Sequence, residues 1–218
     1  MTLNTGPNHI SQMFSSTTGK FDARIGLFPG TFDPIHLGHV EIARIAQTRL
    51  GLNVVIFVPN CNPPHKHPVN PAPSIDRYCM VQLAVLDIKN FFVSDYEVEA
   101  GGISYTINTV KYFSDLYPTC DLRLLVGSDS LREMHTWFAI GEYAGLVSIV
   151  GISRKGEVIK PEEIDLPDGL KANLKIIEGI NMPQSSTEIK NRIQRKSDLD
   201  GFLDPLVERY IRKYELYQ

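Results

Sequence analysis

The 218 residues carry 22 basic and 25 acidic side chains, a net charge of -3, which excludes a global basic field for nucleic-acid binding and leaves any phosphate affinity to local groups. The three cysteines, Cys61, Cys79 and Cys120, are scattered with no C-x-x-C pair, which speaks against a disulfide framework or a cysteine zinc site and fits a reducing cytoplasm. No stretch approaches the ~20 apolar residues of a membrane span, and the N-terminus lacks the basic and apolar blocks of a secretory signal.

Residues 1–20 contain no acid and one base, Lys20, among Ser, Thr, Asn and Gly, and read as a flexible extension to a folded domain over 21–218. No internal repeat divides that domain. Apolar, β-rich runs then alternate with helical patterns. The strands are expected at 24–28, Asn53 to Val58, Phe91 to Val98, Asp121 to Val126, Leu146 to Ile152 and Leu174 to Ile177. Several are continuous hydrophobic runs, as in a parallel sheet covered on both faces. Helices are expected near 38–50, closed by Gly51, near 74–88 with Ser74 as cap, near 105–117, closed by Pro118, and over Phe202 to Tyr217. The alternation predicts a doubly wound, Rossmann-like α/β fold with helices on both faces, in which ligands bind at the carboxyl ends of the strands. The polar segment Lys155 to Asn173 reads as an excursion of undetermined role, either a lid or an oligomer contact.

The most informative segment follows the first strand: Pro29-Gly30-Thr31-Phe32-Asp33-Pro34-Ile35-His36-Leu37-Gly38-His39. It puts two imidazoles where a turn passes into a helix, beside unpaired N–H donors and partial positive charge. Gly30 and Gly38 carry no Cβ to keep a phosphate from the backbone. Histidine donates to a phosphoryl oxygen when neutral and neutralises it when protonated, and either state suits charge that builds up at phosphorus. The competing readings are turn histidines or a metal site of Asp33, His36 and His39, which falls short of four ligands.

Further motifs fall just past later strands. Pro63-Pro64-His65-Lys66 lies in a proline-stiffened loop, where a lone lysine is ordinarily a solvated charge. Ser104-Tyr105-Thr106 opens a helix, with an ordinary N-cap as the plain reading of Ser104. Gly127-Ser128-Asp129 places a carboxylate beyond a strand end, poorly explained by packing. Trp137, the single tryptophan, either fills the core or offers a flat face to an aromatic ligand. Arg154 follows the fifth strand. Gln184-Ser185-Ser186-Thr187-Glu188-Ile189-Lys190 opens a helix whose Ser185 and Glu188 also fit a capping box.

The stretch Gly30 to His39 resembles the signature of the HxGH-type nucleotidyltransferase superfamily, and Ser185 to Lys190 resembles its I-S-S-T-x-I-R helix. The proline loop with Lys66, the segment Asp76-Arg77-Tyr78-Cys79-Met80, the Ser-Tyr-Thr turn and His135-Thr136-Trp137-Phe138 are similar to one branch, the nicotinate mononucleotide adenylyltransferases. Three positions depart from the pattern: Gln184 replaces an apolar residue, Lys190 replaces an arginine and loses its bidentate fork, and Phe138 stands where several members carry tyrosine.

The resemblance implies catalytic roles for His36, His39 and Lys66. It implies ATP contacts from Gly30, Thr31, Phe32, Gly127, Asp129, Arg154, Ser185, Ser186 and Thr187, and mononucleotide contacts from Tyr105, Thr106, Trp137, Phe138 and Arg77. The implied substrates are ATP, with Mg2+ screening its phosphates, and nicotinate mononucleotide, with no protein metal site, nucleic acid or membrane. Homo-oligomerisation is left open.

With no G-x-S-x-G, nucleophile dyad or Walker lysine, no covalent carrier is evident. The expected chemistry is in-line attack by the mononucleotide phosphate on the α-phosphorus of ATP, giving the deamido dinucleotide and pyrophosphate in NAD biosynthesis. Rival readings are a nicotinamide mononucleotide or pantetheine-phosphate adenylyltransferase, a catalytically silent nucleotide-binding regulator, and a metal-dependent hydrolase.

Overall fold

The computed structural model describes residues 23–64, 71–180 and 184–218. The expected 1–20 extension lies outside them, as do His65 and Lys66. Six strands, β1 (Arg24–Gly30), β2 (Val54–Pro59), β3 (Phe91–Val93), β4 (Asp121–Gly127), β5 (Ser148–Arg154) and β6 (Lys175–Ile180), form one sheet in the order β3-β2-β1-β4-β5-β6. Every pairing is parallel. The helices are α1 (Leu37–Leu50), α2 (Ser74–Val85), α3 (Tyr96–Ala100), α4 (Thr106–Leu116), α5 (Ser128–Arg132), α6 (Asp168–Lys171), α7 (Ser186–Gln194) and α8 (Pro205–Lys213).

Strand alternation divides the core in two. Val54, Ile56 and Val58 of β2 face one side with Leu122, Leu124 and Val126 of β4, under α4. Val55, Phe57 and Leu125 face the other, under α1, α2, α7 and α8. Residues buried on both faces explain the continuous apolar runs of the sequence. The excursion after β5 joins the first side through Ile159, Ile164, Leu166 and Leu170. Those apolar side chains make the segment, read from its polar composition as an excursion of undetermined role, part of the core cover.

The order reverses between β1 and β4. The chain leaves β1 for α1 on one face, and leaves β4 for α5, whose Leu131 packs on the other. A crevice therefore opens between the ends Gly30 and Gly127, the general ligand position in such sheets.

Three local expectations need correction. The strand expected over 91–98 stops at Val93, and Tyr96–Ala100 is helical. The Ser94 hydroxyl accepts from the Tyr96 N–H at 3.2 Å and the Asp95 carbonyl from the Glu99 N–H, a local bonding pattern that competes with a ladder. Ser74 is the first helical residue, with Pro73 in the cap position. Ser104 likewise precedes the cap of α4, and its hydroxyl instead accepts the N–H groups of Cys61 at 2.8 Å and Asn62 at 3.2 Å, tying the loop after β2 to the start of α4.

Candidate active site

Two adjoining cavities occupy the crevice. The larger, about 450 Å3, is lined by Gly30, Thr31, Phe32, His36, His39, Gly127, Asp129, Arg154, Ser185, Ser186 and Thr187. The smaller, about 100 Å3, is lined by Tyr105, Thr106, Trp137 and Phe138. Gly30, Thr31 and Gly127 belong to both walls.

Local backbone needs build the shared wall. A Cβ on Gly30 would stand 2.7 Å from the Phe32 ring, so only glycine lets Phe32 fold beneath the loop. Phe32 is itself held at φ +46. A Cβ on Gly127 would meet no protein atom within 4 Å. Its absence leaves the strand end bare toward the crevice.

His36 is the N-cap of α1, and its Nδ1 accepts from the His39 N–H, while the His39 Nδ1 accepts from the His36 N–H, both at 3.3 Å. The rings stack with centroids 3.7 Å apart. A backbone N–H only donates, so each Nδ1 must accept and each neutral ring carries its proton on Nε2. Burial, with a smaller contribution from Arg154, lowers the His36 pKa to about 4, which keeps that ring a neutral donor at pH 7. Of the two states open to the sequence, His36 therefore takes hydrogen bonding, and positive charge falls to other groups.

Those groups stand around the rest of the larger cavity. Lys190 lines it from α7 and pairs with the buried carboxylate of Asp33. Arg154 and Asp129 face each other across the mouth at 3.9 Å, both exposed. Ser185 caps α7 by accepting from the Glu188 N–H at 3.1 Å, and the Ser186 hydroxyl donates to the Pro34 carbonyl at 3.0 Å. Two helix N-termini thus meet at the cavity, with no acid in the first turn of α1. The hydroxyls of Thr31 and Ser153 are buried without a hydrogen-bond partner among the described residues, and both residues line the cavity. Buried hydroxyls ordinarily find one.

In the smaller cavity Trp137 is half-buried, tilted over Tyr143 at 6.1 Å, and Phe138 lies exposed against Tyr105 at 4.6 Å. Trp137 therefore does not spend both faces on the core. Asn60 and Tyr143 also line this cavity. Asn60 donates from Nδ2 to the buried Glu97 carboxylate at 2.8 Å, and Glu97 also accepts from the Thr109 hydroxyl at 2.5 Å.

Arg77, expected from the resemblance at the mononucleotide, stands behind the site. It lines neither cavity; buried at 3 % exposure, it donates to the carbonyls of Ala72 (3.1 Å), Thr31 (2.7 Å) and Cys61 (2.9 Å). It clamps two site loops from behind. Sequence reasoning missed Asn60, Ser128, Ser153 and Tyr143 as lining residues. Asn60 carried a signal, since it is the first polar residue beyond an apolar strand. Tyr143 carried none, because it approaches from a distant turn.

A cytidylyltransferase-like family model matches residues 27–192. A "Probable nicotinate-nucleotide adenylyltransferase" of Desulfitobacterium hafniense (strain Y51) is 37 % identical over 199 residues, covering 89 % of this chain and 96 % of that protein. The chain belongs to the nicotinate-nucleotide adenylyltransferase family. Another member, of Neisseria meningitidis serogroup B, is 37 % identical over 203 residues, with 89 % and 98 % covered. The fold matches that of Plasmodium falciparum nicotinic acid mononucleotide adenylyltransferase complexed with NaAD, with a TM-score of 0.70 at 21 % identity over 89 % of this chain and 97 % of that one.

Proposed function

We propose that this enzyme transfers the adenylyl group of ATP to nicotinate mononucleotide, releasing pyrophosphate and forming the deamido dinucleotide in NAD biosynthesis, in a reducing cytoplasm. The observation that carries the reading is the common wall of the two cavities, Gly30, Thr31 and Gly127. A triphosphate in the larger cavity and a pyridine mononucleotide in the smaller one would meet there.

In this reading an oxygen of the mononucleotide 5′-phosphate attacks the α-phosphorus, the bond to the β-phosphate oxygen breaks, and pyrophosphate takes the electron pair. Transfer at phosphorus needs mainly alignment and charge stabilisation. The Nε2–H groups of the histidine pair supply fixed donors, while Lys190 and the starts of α1 and α7 supply positive potential. Lys66 joins them in the proposal by sequence resemblance. The hydroxyls of Thr31 and Ser153, without a partner among the described residues, would gain one from the nucleotide.

Among the described residues no group of three or more His, Cys, Asp or Glu could hold a metal ion, and of the two carboxylates lining the larger cavity Asp33 is already bonded. A divalent cation, Mg2+ in this proposal, would therefore enter on the phosphates of ATP as part of the substrate.

The test follows pyrophosphate release from Mg-ATP with nicotinate mononucleotide, nicotinamide mononucleotide and phosphopantetheine in parallel. Preference for the first supports the reading. Preference for either other acceptor replaces the substrate, and binding of ATP with silence toward all three replaces catalysis by nucleotide sensing.

A further inference from the structure

Two departures from the family pattern, Gln184 and Lys190, line the larger cavity, and Lys190 is the charged one. Its ammonium pairs with Asp33, whose side chain is 5 % exposed. The other Asp33 oxygen accepts from the Ala72 N–H at 3.0 Å and from the Tyr217 hydroxyl at 2.7 Å. The Tyr217 ring lies under the same ammonium, 5.0 Å from Nζ to the centroid. Tyr217 is 184 residues from Asp33 in sequence. It reaches that place because Glu215 and Tyr217 both adopt left-handed backbone, at φ +53 and +67, after α8, and Leu216 packs on the core beside it.

A lysine is a flexible point charge, with none of the geometric constraint of a guanidinium fork. Holding it needs help from outside the side chain. The Tyr217 hydroxyl and the Ala72 N–H together occupy one carboxylate oxygen, which leaves the other to the ammonium, and the ring packs against that ammonium. Neither group touches the cavity: Tyr217 is absent from its lining, whereas Lys190 and Asp33 are present.

We propose that Tyr217 is a positioning residue for ATP: by fixing the Asp33–Lys190 pair it keeps the Lys190 ammonium directed at the triphosphate and restores the orientation that a lysine otherwise lacks. This rests on the larger cavity being the ATP site. Removing only the hydroxyl leaves that oxygen with the Ala72 N–H alone and opens a lone pair to Lys190, and the ammonium then divides its time between two places. ATP binding weakens, and acceptor binding in the other cavity does not.

Calorimetric titration of Mg-ATP onto the full-length protein, comparing wild type with Tyr217→Phe, Lys190→Met and the double variant, reads this directly. Tyr217→Phe is expected to raise the ATP Kd about three- to tenfold with the melting temperature near wild type, and to add nothing further in the Lys190→Met background. In turnover, KM for ATP should rise while KM for the acceptor stays unchanged. An unaltered ATP Kd, an equal change in both substrates, or full additivity with Lys190→Met would overturn the role. Wild-type protein that binds ATP but releases no pyrophosphate would defeat the proposed function alone, because the four titrations still read the Tyr217 effect.

Discussion

His36 and His39 cap one another: each imidazole Nδ1 accepts the other residue's backbone N–H at 3.3 Å. One contact thus terminates α1 and sets which nitrogen of each ring faces the cavity. Structure and chemistry share the same pair of hydrogen bonds, and suitable substitutions separate them.

Asparagine is a good N-cap and no imidazole. His36→Asn is expected to keep the melting temperature within about 3 °C of wild type while turnover falls by about two orders of magnitude. His36→Ala should lose that turnover and about 1 kcal/mol of stability as well. Urea unfolding alongside pyrophosphate release checks both, and an Asn variant as active as wild type would show the ring to be only a cap.

His39→Ala is expected to lower kcat by about two to three orders of magnitude, the scale of one preorganised donor. Because its Nδ1 also accepts the His36 N–H, stability should drop by about 1 kcal/mol. Near-wild-type kcat would remove it from the reaction.

The buried neutral state of His36 makes acid destabilising. Its folded pKa is lowered to about 4 from 6.5, so between those values the unfolded chain binds a proton that the folded one does not. Stability is fully present above pH 6.5 and declines as pH falls toward 4, by about 3 kcal/mol in all. Unfolding free energies of wild type and His36→Asn, close at pH 7, should separate as pH falls toward 4, with wild type becoming the less stable. Parallel curves would contradict the assignment.

Trp137→Ala should weaken nicotinate mononucleotide binding about tenfold or more with the ATP Kd unchanged, since Trp137 lines only the smaller cavity and an aromatic stack contributes about 1 kcal/mol or more beyond its area. Separate titration of each ligand decides. Equal losses would make the indole a packing residue.

Arg77→Met is expected to destabilise by about 3 kcal/mol or more, because three buried carbonyls lose their donor. Both KM values should rise together, since Thr31 and Cys61 belong to the loops it clamps. A selective loss of mononucleotide affinity with unchanged stability would instead restore the direct contact expected from sequence.

The doubly wound sheet was legible because β2 is buried on both faces and reads as an unbroken apolar run, β4 keeps an apolar stretch from Leu124 to Val126, and Gly51 at φ +62 closes α1 where its glycine predicted. The cavity walls were legible because their residues follow strands directly. What escaped depends on contacts distant in sequence. Nothing local to Arg77 shows that its guanidinium holds the carbonyls of Thr31 and Cys61, which lie 46 and 16 residues away. Ser104 resembles a cap until the loop after β2 arrives at its hydroxyl. The Asp33–Tyr217 bond spans nearly the whole chain, and no local pattern encodes it. The strand over 91–98 was overread because the Ser94 hydroxyl, a single side-chain acceptor, ends it.

The most direct test of direct transfer between the two cavities is the stereochemistry at the α-phosphorus. Turnover of chirally α-thio-labelled ATP with nicotinate mononucleotide should give a dinucleotide inverted at phosphorus, as one in-line displacement by the substrate's own phosphate requires. Retention would mean two displacements through an adenylylated side chain, and would contradict the account.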